Sequence, residues 1–320
     1  MTIAFVEPGT RDRLRREGDA YVAPSGRRFP IVDGIARFVD DDNYARNFGM
    51  QWNLFAATQI DDGSHSHSAD RFWTESGWTP AMLAGKTVLE VGSGAGRFTN
   101  IVLRQSEALL ASIDYSNAVK ANLATNGALA GDRLTLAQAS IYELPFADEA
   151  FDFVFCFGVL QHTPDFRAAV RCLFDKLKPG GRLAIDFYPI KGWWTKCHAK
   201  YLLRPLAKKL PHPLLLKIIR GYAPGAVALY RLLDRLGLHA LTRFIPICDF
   251  RAFPAGLSAQ QRREWIILDT FDMFSPEFDN PQRIETVARW LEQAGAVIDW
   301  ADFVTVCGGR AAVVRARKPG

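Results

Sequence analysis

The chain has 320 residues and a mass of 35.7 kDa, about twice the usual length of one domain, so one large α/β domain with an insertion or two smaller domains are expected. With 48% hydrophobic and 23% charged residues, 25 Gly and 17 Pro, the composition excludes a wholly disordered, collagen-like or coiled-coil protein. The net charge of +5 is unevenly spread: 190–231 holds nine Lys or Arg and no acid, which leaves 30 basic against 34 acidic residues elsewhere, so only one segment is basic.

In chain order, 1–42 forms a small N-terminal module in which 21–39 reads as a β-turn-β piece. A helical cap follows over 43–85, where Phe48, Trp52 and Phe55 share one helical face after a cap at Asp42 or Asn43. Over 86–189 short apolar runs alternate with helical patterns, the signature of a parallel sheet with helices on both faces. Strands are expected at Thr87–Val91, Leu109–Asp114, Leu134–Gln138, 151–157 and 182–187. Between the last two, Val170, Leu173, Phe174 and Leu177 mark a helix ended by Lys178, Pro179, Gly180 and Gly181. The Pro-punctuated, partly helical stretch 190–281 is too long for a connection and reads as an inserted subdomain, a substrate lid. In 282–320, Ile284, Val287, Leu291 and Ala294 form a helix stopped by Gly295, and the runs 296–305 and 310–316 join around Gly308 and Gly309 as a β-hairpin.

No apolar run is long enough to cross a bilayer; 151–160 is short and contains Asp152. The first 18 residues lack a long apolar segment and carry Arg11, Arg13, Arg15 and Arg16, so no cleaved secretory signal is expected. Five scattered cysteines with no C-x-x-C pair indicate neither a disulfide framework nor a zinc ribbon, and fit a reducing cytoplasm as buried small apolar residues.

The chemistry is concentrated in V-L-E-V-G-S-G-A-G-R-F at 88–98, a hydrophobic strand that ends in Gly92, Gly94 and Gly96 and runs into a helix. Glycine suits a backbone that a ligand approaches closely, and a helix start offers free N–H groups; a nucleotide-like ligand is expected here. Arg97 stands where the dinucleotide fingerprint G-x-G-x-x-G needs a small residue, which counts against a nicotinamide cofactor. Asp114 closes the second strand within reach of a ribose, Ala139, Ser140 and Ile141 follow the third, and Val159 to His162 follow the fourth. Four loops thus converge on one sheet edge.

Together with E-L-P-F-A-D-E-A-F-D at 143–152, V-L-Q-H-T-P-D at 159–165 and L-K-P-G-G-R-L at 177–183, these strings resemble a class I S-adenosylmethionine-dependent methyltransferase over about 86–189, and the terminal helix and hairpin fit the same fold. The string F-P-I-V-D-G-I-A-R-F-V at 29–39 resembles the small module that precedes this domain in some bacterial members. Some relatives carry a zinc-binding Cys pair there; Ala23-Pro24-Ser25-Gly26 stands in its place, so no metal is expected. The resemblance implies a Rossmann-like α/β fold with a seven-stranded sheet and S-adenosyl-L-methionine as cofactor. It implies Gly92, Gly94 and Gly96 along the methionine end, Glu90 near the amino group directly or through water, Asp114 on the ribose, and Ser140 and Ile141 at the adenine. The family commonly has aspartate where Ser140 stands, so adenine recognition is the weakest of these contacts.

Methyl transfer from an activated sulfonium asks mainly for alignment, worth about 7 to 11 kcal/mol. A hydroxyl acceptor also needs a base, for which His162 is the candidate, with a loop-bonding histidine as the bland alternative. Asp269 and Asp272 would share a face if helical, as an acceptor site or as solvated groups, while Trp52 and Phe48 would close over the methionine end or belong to the core. His65 and His67, in Gly63-Ser64-His65-Ser66-His67, read as an exposed flexible loop rather than metal ligands. The basic segment 190–231, interleaved with Trp193, Trp194 and leucines, reads either as a lid with a solvated basic face or as a peripheral contact with anionic membrane, with phosphate-bearing substrate or nucleic acid as further readings. Pro205, Pro211 and Pro213 argue against one long helix there. The expected enzyme methylates a small molecule at O, N or C, a lipid-linked or glycan acceptor being the lesser alternative. Its rivals are a nicotinamide-dependent oxidoreductase and a non-catalytic nucleotide-binding protein.

Overall fold

A computed structural model describes residues 3–61 and 65–320. Chain order begins with the short strands β1 (Arg15–Glu17), β2 (Ala20–Val22), β3 (Arg28–Val32) and β4 (Ile35–Arg37), followed by helices α1 (Arg46–Leu54), α2 (His67–Ser76) and α3 (Pro80–Leu83). The central run is β5 (Thr87–Val91), α4 (Arg97–Gln105), β6 (Leu109–Asp114), α5 (Val119–Ala130), β7 (Leu134–Gln138), β8 (Phe151–Cys156), α6 (Phe166–Asp175) and β9 (Leu177–Phe187). The insertion contributes α7 (Ala199–Ala207), α8 (His212–Arg235), α9 (His239–Thr242) and α10 (Ala259–Phe274), and the chain closes with α11 (Ile284–Gln293), β10 (Val297–Val306) and β11 (Gly309–Arg317).

The sheet order is β1-β2-β3-β4-β7-β6-β5-β8-β9-β11-β10, parallel from β4 to β9 and antiparallel at both ends. Alternation along β5 explains the two layers: Leu89 and Val91 enter one core with Ala111, Ile113 and the α6 and α11 side chains, while Val88 packs with Phe72, Ile101 and Phe155 on the α2–α4 side. From β5 the chain fills one direction through β6 and β7, then returns to add β8 and β9 on the other side. The carboxyl ends of β5 and β8 flank this switch point, where open α/β sheets bind ligands.

The expected seven strands account for β5 to β11 alone. Ala36 and Arg37 of β4 pair parallel with Ala137 and Gln138 of β7, and the Arg37 guanidinium reaches the Gln138 Oε1. The N-terminal module thereby extends the sheet to eleven strands among the described residues. The expected end of α6 also moves. The helix stops at Asp175, and 177–181 already belong to β9, where Leu177 lies opposite Phe151 and Arg182 opposite Phe153. The intervening residues bulge, with Gly180 N donating to Lys318 O and Lys318 N to Gly181 O. α1 starts at Arg46 without a side-chain cap, because Asn43 Oδ1 instead accepts from Ala45 N in the preceding turn.

The insertion has its own apolar cluster, in which Leu215, Leu216 and Ile219 of α8 meet Ile266, Ile267 and Phe271 of α10, with Phe55 beyond α1 joining them. Ser258 and Gln261 form a capping box at the start of α10. The prolines do not fragment α8: Pro211 precedes it, Pro213 sits in its first turn, where no N–H is missed, and 24 residues run through Pro224. No helix among the described residues is long and apolar enough to cross a membrane.

Candidate active site

The loop after β5 is held from beneath. Gly92 N and Ser93 N both donate to Ile113 O, and Gly94 N donates to Asp114 Oδ2 at 2.8 Å. All three glycines have positive φ, at 84°, 53° and 83°, a region costly for side chains with a Cβ. The space each leaves is filled by protein, which corrects the expectation that it exists for a ligand. A Cβ on Gly92 would overlap Val159, one on Gly96 would overlap Asn122 and Asn126, and one on Gly94 would lie 3.1 Å from the Trp52 indole. Gly92 and Gly94 still line the cavity; Gly96 does not, since its open side faces α5.

Glu90 lies behind this loop, away from the cavity. It points to the α4 side of the sheet, where Thr99 Oγ1 and Ser112 Oγ donate to its Oε2. Asn122 Nδ2 donates to Thr99 Oγ1 and Ser112 Oγ, and Asn126 Nδ2 donates to Gly96 O. Burial pushes the Glu90 carboxyl up to about 7 despite the two hydroxyl donors. The sequence places Glu90 at the cofactor; the structure makes it the anchor of a buried polar network that fixes the glycine loop. Asn122 and Asn126, one helical turn apart in an alanine-rich helix, were the available signal for that network.

A cavity of about 710 Å³ opens above the switch point. At one end lie Gly92 to Ala95, Asp114, Tyr115, Ala139 and Ile141. Asp114 Oδ1 accepts from Ser116 N and Oγ, and Oδ2 from Gly94 N, leaving acceptor capacity for a ribose hydroxyl. Burial nevertheless raises its pKa. Ser93 Oγ is buried without a partner among the described residues. An apolar wall, an acceptor carboxylate and an unpaired hydroxyl suit an adenosyl compound. Ser140 is absent from this lining: its Oγ accepts from Tyr142 N within its own turn.

The other end holds His162, which is buried. Its Nδ1 lies 3.0 Å from Phe278 O, and because a carbonyl only accepts, Nδ1 carries the hydrogen and Nε2 the lone pair. Nε2 has no hydrogen-bond partner and sits 3.9 Å from Asp272 Oδ2. Burial lowers the His162 pKa, outweighing Asp272. Tyr188 OH donates to Asp272 Oδ2 at 3.1 Å, and Gln51 Nε2 approaches Oδ1 at 3.4 Å. Asp269, one turn earlier on α10, accepts from Gln59 and is pushed up to about 7 by burial and by Asp272. Both aspartates line the cavity, as do Phe48 and Trp52.

Arg97 bridges α4 to the cap, donating to Ser68 Oγ and Gln59 Oε1, with His67 Nδ1 at 2.6 Å. Burial lowers the Arg97 pKa to about 9 and the His67 pKa to about 3. His67 thus faces a cation, and the side chain of His65 is 5% exposed beside Trp265, not displayed on a loop; Gly63 and Ser64 lie outside the described residues. Cys197 and Cys307 are exposed rather than buried.

The strand order from β7 to β10, the glycine loop at the switch point and the carboxylate ending β6 define the fold of a class I methyltransferase. Residues 89–185 match the family model described as a methyltransferase domain. It is 36% identical over 132 residues to a ubiquinone/menaquinone biosynthesis C-methyltransferase of Vibrio campbellii, covering 39% of this chain and 50% of that protein. It is 35% identical over 133 residues to a ubiquinone biosynthesis O-methyltransferase of Pseudomonas fluorescens, covering 39% and 56%. The chain thus spans about half the length of the curated relatives it matches. Among solved structures, it is similar to the 1,6-didemethyltoxoflavin-N1-methyltransferase of Burkholderia thailandensis at 15% identity and a TM-score of 0.46, covering 96% of this chain and 99% of that one.

Proposed function

We propose that this protein methylates a small acceptor at an oxygen or carbon that must lose a proton, with S-adenosylmethionine as donor. One observation carries the choice: a buried imidazole, His162, with its Nε2 unpartnered in the same cavity as the glycine loop. The two curated relatives, one a C-methyltransferase of ubiquinone/menaquinone biosynthesis and one an O-methyltransferase of ubiquinone biosynthesis, support a carbon or oxygen acceptor.

S-adenosylmethionine, when bound, supplies a methyl group already activated on a sulfonium. Asp114 would hold the ribose hydroxyls, Ile141 and Tyr115 the adenine, and the backbone from Gly92 to Ala95 the methionine end. His162 Nε2 takes the acceptor's proton as the nucleophile attacks, and the Phe278 carbonyl keeps the ring oriented. Asp272 stabilises the resulting imidazolium, while Tyr188 fixes Asp272. Trp52 and Phe48 cover the reacting centre and exclude water.

Isothermal titration with S-adenosylhomocysteine and with NAD, followed by labelled methyl transfer to a panel of phenols and amines, tests this reading. Binding of S-adenosylhomocysteine and label on a phenol are expected. Tight NAD binding with no response to S-adenosylhomocysteine would reverse it, and cofactor binding without any labelled product would leave a non-catalytic binder.

A further inference from the structure

We propose that the outer face of the helical insertion docks on an anionic lipid bilayer. Of the 18 large hydrophobic side chains exposed among the described residues, 13 fall between 193 and 244. In α8 they are not scattered. Leu214, Ile218, Leu229 and Leu232, with Leu236 just past the helix end, recur at helical spacing along one stripe that Gly221 and Gly225 continue, while Leu215, Ile219, Ala223 and Tyr230 form the stripe buried against the rest of the insertion. Leu206 of α7 at 72% exposure and Trp193 at 84% are further exposed apolar side chains of the same insertion. Monomeric proteins rarely turn an apolar stripe of this kind to water.

Charge identifies the occupant. Lys196, Lys209, Lys217, Arg220, Arg231 and Arg235 are exposed and make no ion pair among the described residues. Nearby acids are already engaged: Glu277 pairs with Lys208, and Asp234 with His239 and Arg251. A second copy of this chain would bring like charges together, and nucleic acid offers nothing to the leucines. An anionic bilayer matches both, with headgroups for the cations and the acyl boundary for the apolar stripe. α8, at 24 residues about 36 Å long, is not apolar enough to span, so it lies in the surface plane. On the opposite side of α7, Lys200 and Tyr201 wall the cavity, which places the acceptor chamber one helix thickness from the lipid. The docking itself does not depend on the reaction proposed above.

The test is co-sedimentation of the full chain with vesicles of phosphatidylcholine alone or mixed with phosphatidylglycerol, at low and high salt. Pelleting with the anionic vesicles, weakened by salt, is expected. Lys217→Glu with Arg220→Glu should lower partitioning at least about tenfold, and Ile218→Ser with Leu232→Ser should lower it at low and high salt alike, both with an unchanged melting temperature. Equal recovery with the two vesicle types overturns the proposal. So does a lipid-free dimer in sedimentation velocity that Ile218→Ser with Leu232→Ser dissociates without any vesicle binding by the parent.

Discussion

The sheet core and the helical insertion resolve their apolar surface in opposite ways. In the core, β5, β6 and β8 are covered on both faces, and even Ser112, Asn122 and the Oε2 of Glu90 find partners inside, while Glu90 Oε1 is buried without one among the described residues. In the insertion, neighbouring residues of one helix diverge: Ile219 is fully buried while Ile218 is 44% exposed. The core is therefore stabilised by contacts within the chain, and the insertion keeps an apolar stripe facing outward. The cavity lies between them, taking the glycine loop and Asp114 from the core and Asp269, Asp272 and Lys200 from the insertion.

The sharpest test of this division is catalytic. His162 stands on the core loop but meets Asp272 of the insertion, so His162→Gln should reduce kcat by about 10²- to 10⁴-fold, with S-adenosylhomocysteine affinity within a few-fold of the parent. Because burial holds the His162 pKa below 6.5, the parent's kcat/KM should stay level down to about pH 6.5 and fall only at a lower pH. A kcat unchanged in the variant would make His162 a loop-bonding residue.

The second test concerns packing within one helix. Ile219→Ala removes a fully buried side chain and should cost about 2 to 5 kcal/mol in denaturant unfolding, whereas Ile218→Ala should change stability by less than about 0.5 kcal/mol. Equal costs would mean that the outer stripe is covered within the chain, and the contrast between core and insertion would fail.

What was readable followed the same division. Thr87–Val91, Leu109–Asp114 and Leu134–Gln138 were legible to the residue because interior parallel strands are continuous apolar runs closed by turn residues. Leu177 was misread because its helical spacing from Val170 coincides with the first residue of β9. Of the cavity lining, Asp114, Ile141 and His162 were legible from their positions at or after strand ends. The glycines were legible as positions, but a sequence shows only that a side chain is absent, not that Val159 or Asn122 occupies the space. Tyr188 with Asp272 was beyond reach, since 84 positions separate them and the packing of the insertion alone joins them.

The smallest expected effect probes the one acid in the core network. The Glu90 carboxyl is held at about 7 by burial, against about 4.5 for an exposed carboxyl. Above pH 4.5 the unfolded chain releases this proton while the folded chain keeps it until about 7, so the parent's stability falls as pH rises through that window. Glu90→Gln cannot titrate, and its stability relative to the parent should therefore rise by about 1 to 3 kcal/mol between pH 5 and pH 8. Urea unfolding of both proteins at the two pH values measures this difference directly; parallel profiles would show that the carboxyl titrates normally. Because Glu90 lies behind the loop rather than along the cavity, the same variant should bind S-adenosylhomocysteine within a few-fold of the parent, whereas a large loss would return Glu90 to the cofactor's amino group.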